Sequence, residues 1–286
     1  MNYAKQLLSP DELNILSQNV KNNYLSTGVK NQIVLDKLGS IVPKLTSHIS
    51  DVVGEEVEFL NLNFIFLACN TTMAPLLNSE SLGWHTDNTC SVIDGNCYNA
   101  WVPLFNDSTE TGIEVIADGH NKELFSRLGD PTFPLKVYCK KTSPSVFKLF
   151  PQLAGTDYDM VFVKPYTGTI VPFRARDLEI SKSERPEAGD VAIFKQTDVH
   201  RGFHSNGIRI QLSMKFASKN ARLNTAPSNS YYQLFKSFQL ALGQSNSNNL
   251  SNIANFYRFL ELVTPREILS KHGRLEQDLI QSLLSR

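Results

Sequence analysis

Two histidines and one aspartate define the chemistry this chain could perform. In the stretch Gly83-Trp84-His85-Thr86-Asp87 an imidazole and a carboxylate stand two residues apart. On extended backbone, side chains at i and i+2 point to the same side, so His85 and Asp87 can reach a single metal ion. Two donors hold an ion poorly, and a third has to come from elsewhere in the chain. His200 can supply it, in Thr197-Asp198-Val199-His200-Arg201-Gly202, just after the apolar run Val191-Ala192-Ile193-Phe194. Two imidazoles and one carboxylate on one face of an octahedral ion leave its other positions open to small molecules. An isolated H-x-D triplet also occurs by chance in turns and solvated loops, so the surrounding elements decide its meaning.

Two other residues compete for places in such a site. His204 is an alternative third ligand, but it stands only five residues before Arg209 and lacks the Gly-Asp-led strand that runs into His200. Cys90, near the H-x-D patch, would make a mixed thiolate site. Neither it nor Cys97 pairs with a histidine at zinc-site spacing.

The elements that must position these groups can be traced along the 286 residues. Ser9-Pro10-Asp11-Glu12 has the form of a capping box opening a helix. Ile33, Leu35, Leu38, Ile41 and Leu45 recur at helical spacing and predict a second helix over 32–49. Residues 59–67 predict a buried strand, with Asn61 and Asn63 on one face of it. Those amides face either a cavity or hydrogen-bonding neighbours, and the latter is the commoner arrangement. Residues 97–104 predict another strand, in which Asn99 and Trp101 share a face and Pro103 marks an end or edge. Residues 207–216 alternate with a period of two, placing Arg209, Gln211 and Ser213 on one side and Ile208, Ile210, Leu212 and Met214 on the other. If the polar side points inward, Arg209 needs an anionic ligand or an acidic neighbour, because an unpaired buried guanidinium is prohibitively costly. A surface strand is the alternative.

The division expected is one domain over 1–225, with N-terminal helices and a pocket-forming insert at 130–186, followed by a helical extension over 226–286 packed on it. Lysines and arginines gather in the insert (Lys136, Lys140, Lys141, Lys148, Lys164, Arg174, Arg176). They favour a small-molecule substrate bearing a carboxylate or phosphate, with a solvated face as the plainer explanation for most of them.

Composition removes several classes. Lys+Arg and Asp+Glu both number 28, so no net basic field invites nucleic acid. No basic amphipathic stretch suits a membrane surface and no run is long enough to span one. The first residues lack the apolar core of a signal peptide, and Cys69, Cys90, Cys97 and Cys139 fall at no paired spacing. Together these predict a cytoplasmic enzyme, monomeric or homodimeric.

The order of these signals resembles the phytanoyl-CoA dioxygenase family of iron(II)- and 2-oxoglutarate-dependent oxygenases. It runs from the H-x-D patch through Trp101-Val102-Pro103-Leu104, the stretch Glu114 to His120, and Gly189-Asp190-Val191-Ala192-Ile193-Phe194 ahead of His200-Arg201-Gly202. It ends with Arg209 four residues before Ser213. The resemblance covers roughly 59–216. It implies a mainly β double-stranded β-helix, or jelly roll, with helical flanks. It implies iron(II) held by His85, Asp87 and His200, with 2-oxoglutarate and dioxygen as cosubstrates. Arg209 would pair with the distal carboxylate of 2-oxoglutarate, Ser213 would hydrogen-bond beside it, and Trp101 would pack against it. His120, at the end of a turn that departs from the family's Pro-Gly-Ser-His, would not be a ligand. The activity implied is hydroxylation of a C–H bond coupled to formation of succinate. The alternatives are a non-catalytic jelly-roll binding protein, in which Arg209 would be a structural ion-pair partner, and a zinc hydrolase, which has no use for an inward Arg209.

Overall fold

Ser9 and Glu12 start the first helix as their spacing predicts. Glu12 Oε2 accepts from the Ser9 N–H at 2.9 Å, and the Glu12 N–H donates to Ser9 Oγ at 3.2 Å. The computed structural model describes residues 1–27, 35, 38–69, 84–87, 93–107, 111–129, 135–141, 144–153, 155–164, 168–204, 207–225 and 236. Its strands are β1 (Asn2–Ala4), β2 (Val57–Cys69), β3 (Ile93–Asp94), β4 (Cys97–Asn106), β5 (Thr111–Ile116), β6 (Lys136–Cys139), β7 (Met160–Lys164), β8 (Thr169–Phe173), β9 (Ile180–Lys182), β10 (Val191–Lys195), β11 (Val199–His204), β12 (Ile208–Ser218) and β13 (Arg222–Leu223). Its helices are α1 (Pro10–Thr27), α2 (Ile41–Val53), α3 (Lys122–Leu128) and α4 (Pro144–Lys148). Apart from residue 236, the extension expected over 226–286 lies outside the described residues, as does the thiol of Cys90.

A five-stranded antiparallel sheet in the order β1-β10-β4-β12-β2 packs against a three-stranded sheet in the order β11-β5-β9. The fold is mainly β, a double-stranded β-helix with helices on one side. Alternation along β12 decides which residues face where. Ile210, Leu212, Met214 and Phe216 turn outward and join Leu16, Val20, Ile41, Leu45 and Ile49 of α1 and α2 in one buried cluster. The opposite face of β12 looks towards the smaller sheet. Trp101, Ala192 and Phe194 of the larger sheet meet Ile113, Val115 and Ala117 there.

Two local expectations are corrected. The second helix begins at Ile41 rather than in the low thirties. Gly39 sits at φ +53°, breaking the apparent period, and Leu35 and Leu38 are buried ahead of the helix. Pro103 is not at a strand end: β4 lies between β10 and β12, and the proline sits where the ladder to β12 shifts register between Ile210 and Gln211. Of the two arrangements left open for the asparagines of β2, bonding to neighbours is the one Asn61 adopts. Asn61, at φ +49°, occupies the bulge of β2, and its Oδ1 accepts from the Leu35 N–H at 2.9 Å and from Asn63 Nδ2 at 3.3 Å.

The Gly189-Asp190 step ahead of β10 is structural. Asp190 is fully buried and accepts from Tyr3 Oη at 2.5 Å, the Gln6 N–H at 2.8 Å and the Glu187 N–H at 2.9 Å. It thereby ties the first residues of the chain, which form edge strand β1, to the sheet that carries the site. The insert forms its own sheet, β6-β7-β8. Phe162 and Phe173 of that sheet pack with Trp84, Ile116 and Val199 behind the smaller β-helix sheet.

Candidate metal centre

His85 and His200 are paired across an isolated antiparallel bridge, with N–H to carbonyl distances of 2.9 and 2.8 Å in the two directions. This pairing lays residues 84–87 along the edge of β11, and a further bond from the Asp87 N–H to the Gln196 carbonyl at 3.0 Å fixes the register. With the backbone extended, Asp87 falls on the same side as His85. The two imidazole rings lie 4.4 Å apart between centroids. Ligand atoms of His85, Asp87 and His200 all lie within 4.8 Å of one another. His85 and Asp87 are half-buried and His200 is buried.

The donor set suits a divalent ion. His200 Nδ1 lies 2.9 Å from the Asp198 carbonyl, which can only accept, so Nδ1 carries the hydrogen and Nε2 presents its lone pair. Burial, reinforced by nearby His85, pushes the His200 pKa down to about 3 and keeps the ring neutral. Burial works against the charge of Asp87, but Lys215, then His200 and His85, outweigh it and hold the carboxyl below the usual carboxylate range. Asp87 Oδ1 faces His200 Nε2 at 3.7 Å. A neutral, oriented imidazole beside an ionised carboxylate is what a divalent ion requires.

Asp87 Oδ2 faces the other way and is held by two partners. Lys215 Nζ donates to it at 2.8 Å and Asn99 Nδ2 at 2.7 Å. Lys215, 2% exposed, also donates to Ser213 Oγ at 3.0 Å and to Asn99 Oδ1. Lys215 did not figure among the expected site residues. The signal was there, because the period-two face carrying Arg209, Gln211 and Ser213 continues to 215.

Arg209 crosses the space between the two sheets. From β12 its Nη1 donates to Thr111 Oγ1, to the Gly112 carbonyl at 2.8 Å and to the Phe203 carbonyl at 3.1 Å. Its side chain lies 5.4 Å from the centroid of the Trp101 ring. Every one of those acceptors is neutral. Arg209 is 1% exposed, and burial alone brings its pKa down to about 9. Its Nε and the Nε1 of Trp101 are buried with no hydrogen-bond partner among the described residues. Gly202 makes room for this arrangement, since a Cβ there would lie 3.1 Å from Arg209 Nη2. Phe203 is three residues along β11 from His200, so the guanidinium sits roughly 10 Å from the imidazole end of the strand.

The expected residues thus divide into two groups on one inner face. His85, Asp87 and His200 converge. Arg209 and Trp101 meet further along the same hollow. Ser213 belongs to the Asp87 end, through Lys215, rather than to the Arg209 end. His120 stands apart and exposed, 3.4 Å from Glu179. The backbone of His204 lies opposite Thr111 at the far end of β11, four residues beyond His200. Of the insert's basic residues, Lys164 is buried and donates to the Leu128 carbonyl at 2.7 Å, while Arg174 and Arg176 pair with Asp157 at 3.3 and 2.8 Å.

No family model matches the sequence, and no curated protein is similar to it. Solved structures are. The non-haem α-ketoglutarate-dependent carbocyclase SnoK from nogalamycin biosynthesis matches over 81% of this chain and 84% of its own, at 11% identity and a TM-score of 0.51. The epimerase SnoN from the same biosynthesis matches over 77% and 79%, at 12% identity and a TM-score of 0.45. The non-haem monooxygenase ThoJ matches over 77% and 73%, at 10% identity and a TM-score of 0.43. The carbocyclase match carries the comparison: this chain shares the double-stranded β-helix fold of a non-haem α-ketoglutarate-dependent enzyme.

Proposed function

We propose that the chain is an iron(II)- and 2-oxoglutarate-dependent oxygenase of the phytanoyl-CoA dioxygenase type, hydroxylating a C–H bond of a small metabolite in the cytoplasm. The observation that carries this reading is the pairing of two features in one hollow. One is a His85-Asp87-His200 cluster with its donors preset. The other is a buried cation, Arg209, with no acidic side chain against it among the described residues. A guanidinium in that position calls for an anion, and a dicarboxylate reaching from the cluster to Arg209 would answer it.

The chain's own residues have definite tasks in this scheme. His85, Asp87 and His200 would hold the ion from one side. Arg209 would fix the distal carboxylate of 2-oxoglutarate, with Trp101 Nε1 and Arg209 Nε, which have no hydrogen-bond partner among the described residues, as further donors beside it. Phe194, whose ring lies 4.8 Å from that of His200, would help keep water from the cluster. Bound iron would couple the oxidative decarboxylation of 2-oxoglutarate by dioxygen, giving succinate and carbon dioxide, to insertion of one oxygen atom into the substrate's C–H bond.

The test is succinate release with iron(II) and 2-oxoglutarate across a panel of small metabolites, anionic ones included. Release stimulated by a subset of the panel and absent in His200→Ala is the expected result. Release that continues unchanged in that variant would refute the scheme.

A further inference from the structure

We propose that Lys215 is the resident countercharge of this centre: it pairs with Asp87 and aims it while no metal is present, and it weakens the hold on the metal once bound. The inference rests on the metal-binding reading above and goes beyond it by assigning a residue that controls exchange at the site.

The geometry is that of a clamp. An ammonium has three hydrogens, and Lys215 finds three acceptors, in Asp87 Oδ2, Asn99 Oδ1 and Ser213 Oγ. Asn99 Nδ2 adds a second donor to the same Asp87 oxygen. Asp87 Oδ2 is therefore occupied from two sides, and Oδ1 is the oxygen turned to His200. Lys215 comes from β12, Asn99 from β4 and Asp87 from the segment beside β11, so the clamp also joins the two sheets across the hollow.

Charge decides what the clamp does. Removing one partner of a buried ion pair strands the other charge, which is far more costly than losing an exposed pair. Without Lys215, no lysine or arginine among the described residues would lie against the Asp87 carboxylate until a metal ion arrived. The ion would then take over the role Lys215 plays. With Lys215 in place, ammonium and metal sit on opposite oxygens of one carboxylate and repel each other at short range. Truncating Lys215 should therefore harm the metal-free protein more than the metal-loaded one. A lysine that merely filled space would, on truncation, lower both by the same amount.

Thermal unfolding of the full chain with and without cobalt(II), a divalent stand-in that does not oxidise readily, separates these outcomes. Lys215→Met should lose roughly 6 °C or more in metal-free Tm. Its cobalt-induced rise should exceed that of the wild type by roughly 3 °C or more. Lys215→Arg, which keeps the charge, should bring that rise back towards the wild-type value. A Lys215→Met protein that folds only with cobalt is the extreme form of the same result. Equal rises in the wild type and Lys215→Met, or a variant that folds in neither condition, overturn the assignment. If cobalt raises Tm in neither the wild type nor the variants, the metal-binding reading itself has failed, a result distinct from equal rises.

Discussion

His200 turns Nδ1 to the carbonyl of Asp198, two residues earlier in its own chain, at 2.9 Å. Asp198 is in turn held by the N–H groups of Lys195 and Asp118, at 2.9 and 3.0 Å. The turn between β10 and β11 thus sets the orientation of the imidazole before any ligand is present. A site built this way has consequences for each of its parts.

Asp87 and His85 should differ sharply when removed from the metal-free protein. Asp87→Ala leaves the Lys215 ammonium buried without its carboxylate, which should cost about 3 kcal/mol or more. His85→Ala strands no charge and should cost about 1 kcal/mol. Urea unfolding of both variants without metal measures the difference, and equal losses would mean that the Asp87–Lys215 pair carries no such weight.

Gly202 should be required for the cosubstrate rather than for folding. A methyl group there lies 3.1 Å from Arg209 Nη2, and Nη1 is pinned by three acceptors, so the guanidinium has to move. Gly202→Ala should weaken 2-oxoglutarate binding by roughly tenfold, about 1.4 kcal/mol, with metal affinity unchanged. Calorimetric titration with each ligand separately checks both halves.

Glu12 gives a pH-dependent contribution far from the site. The hydrogen bond from Lys44, then that from the Ser9 N–H, holds its pKa below the ordinary value. For a depressed carboxyl, the contribution is fully present above the unfolded-state pKa and is lost as pH falls through the folded one. Glu12→Gln should therefore cost about 1 kcal/mol at neutral pH. The gap to wild type should close as the pH falls below about 4. Tm measured for both proteins from pH 7 to pH 3 tests this, and a constant gap would contradict it.

Cys97 should be inert in the folded protein. The residue is 4% exposed and burial pushes its pKa up to about 12. Mass spectrometry after alkylation at pH 8 should find it unmodified in native protein and modified in denaturant.

What was legible in the sequence was periodicity. The alternation of Ile208 to Met214 placed Arg209 on the face opposite the apolar residues, and the i, i+2 spacing placed His85 and Asp87 together, because both follow from the geometry of a strand. What escaped was partnership. Lys215 stands at the next inward position of the same strand, yet its role follows only from the approach of Asn99 and Asp87, residues far away in the chain. Pro103 was misplaced for a related reason: a bulge in β4 breaks the period-two rule where that strand is fitted to β12. The short edge strand β1 leaves no pattern of its own and exists because Asp190 collects its polar groups.

The most direct test is anaerobic calorimetry of the full chain with manganese(II) and then 2-oxoglutarate, using the wild type, His200→Ala and Arg209→Met. The expected result is one metal ion bound per chain, lost in His200→Ala, followed by 2-oxoglutarate binding that requires the metal and falls by roughly a hundredfold, about 3 kcal/mol, in Arg209→Met. Metal bound equally well by His200→Ala, or 2-oxoglutarate bound equally well by Arg209→Met, would contradict it.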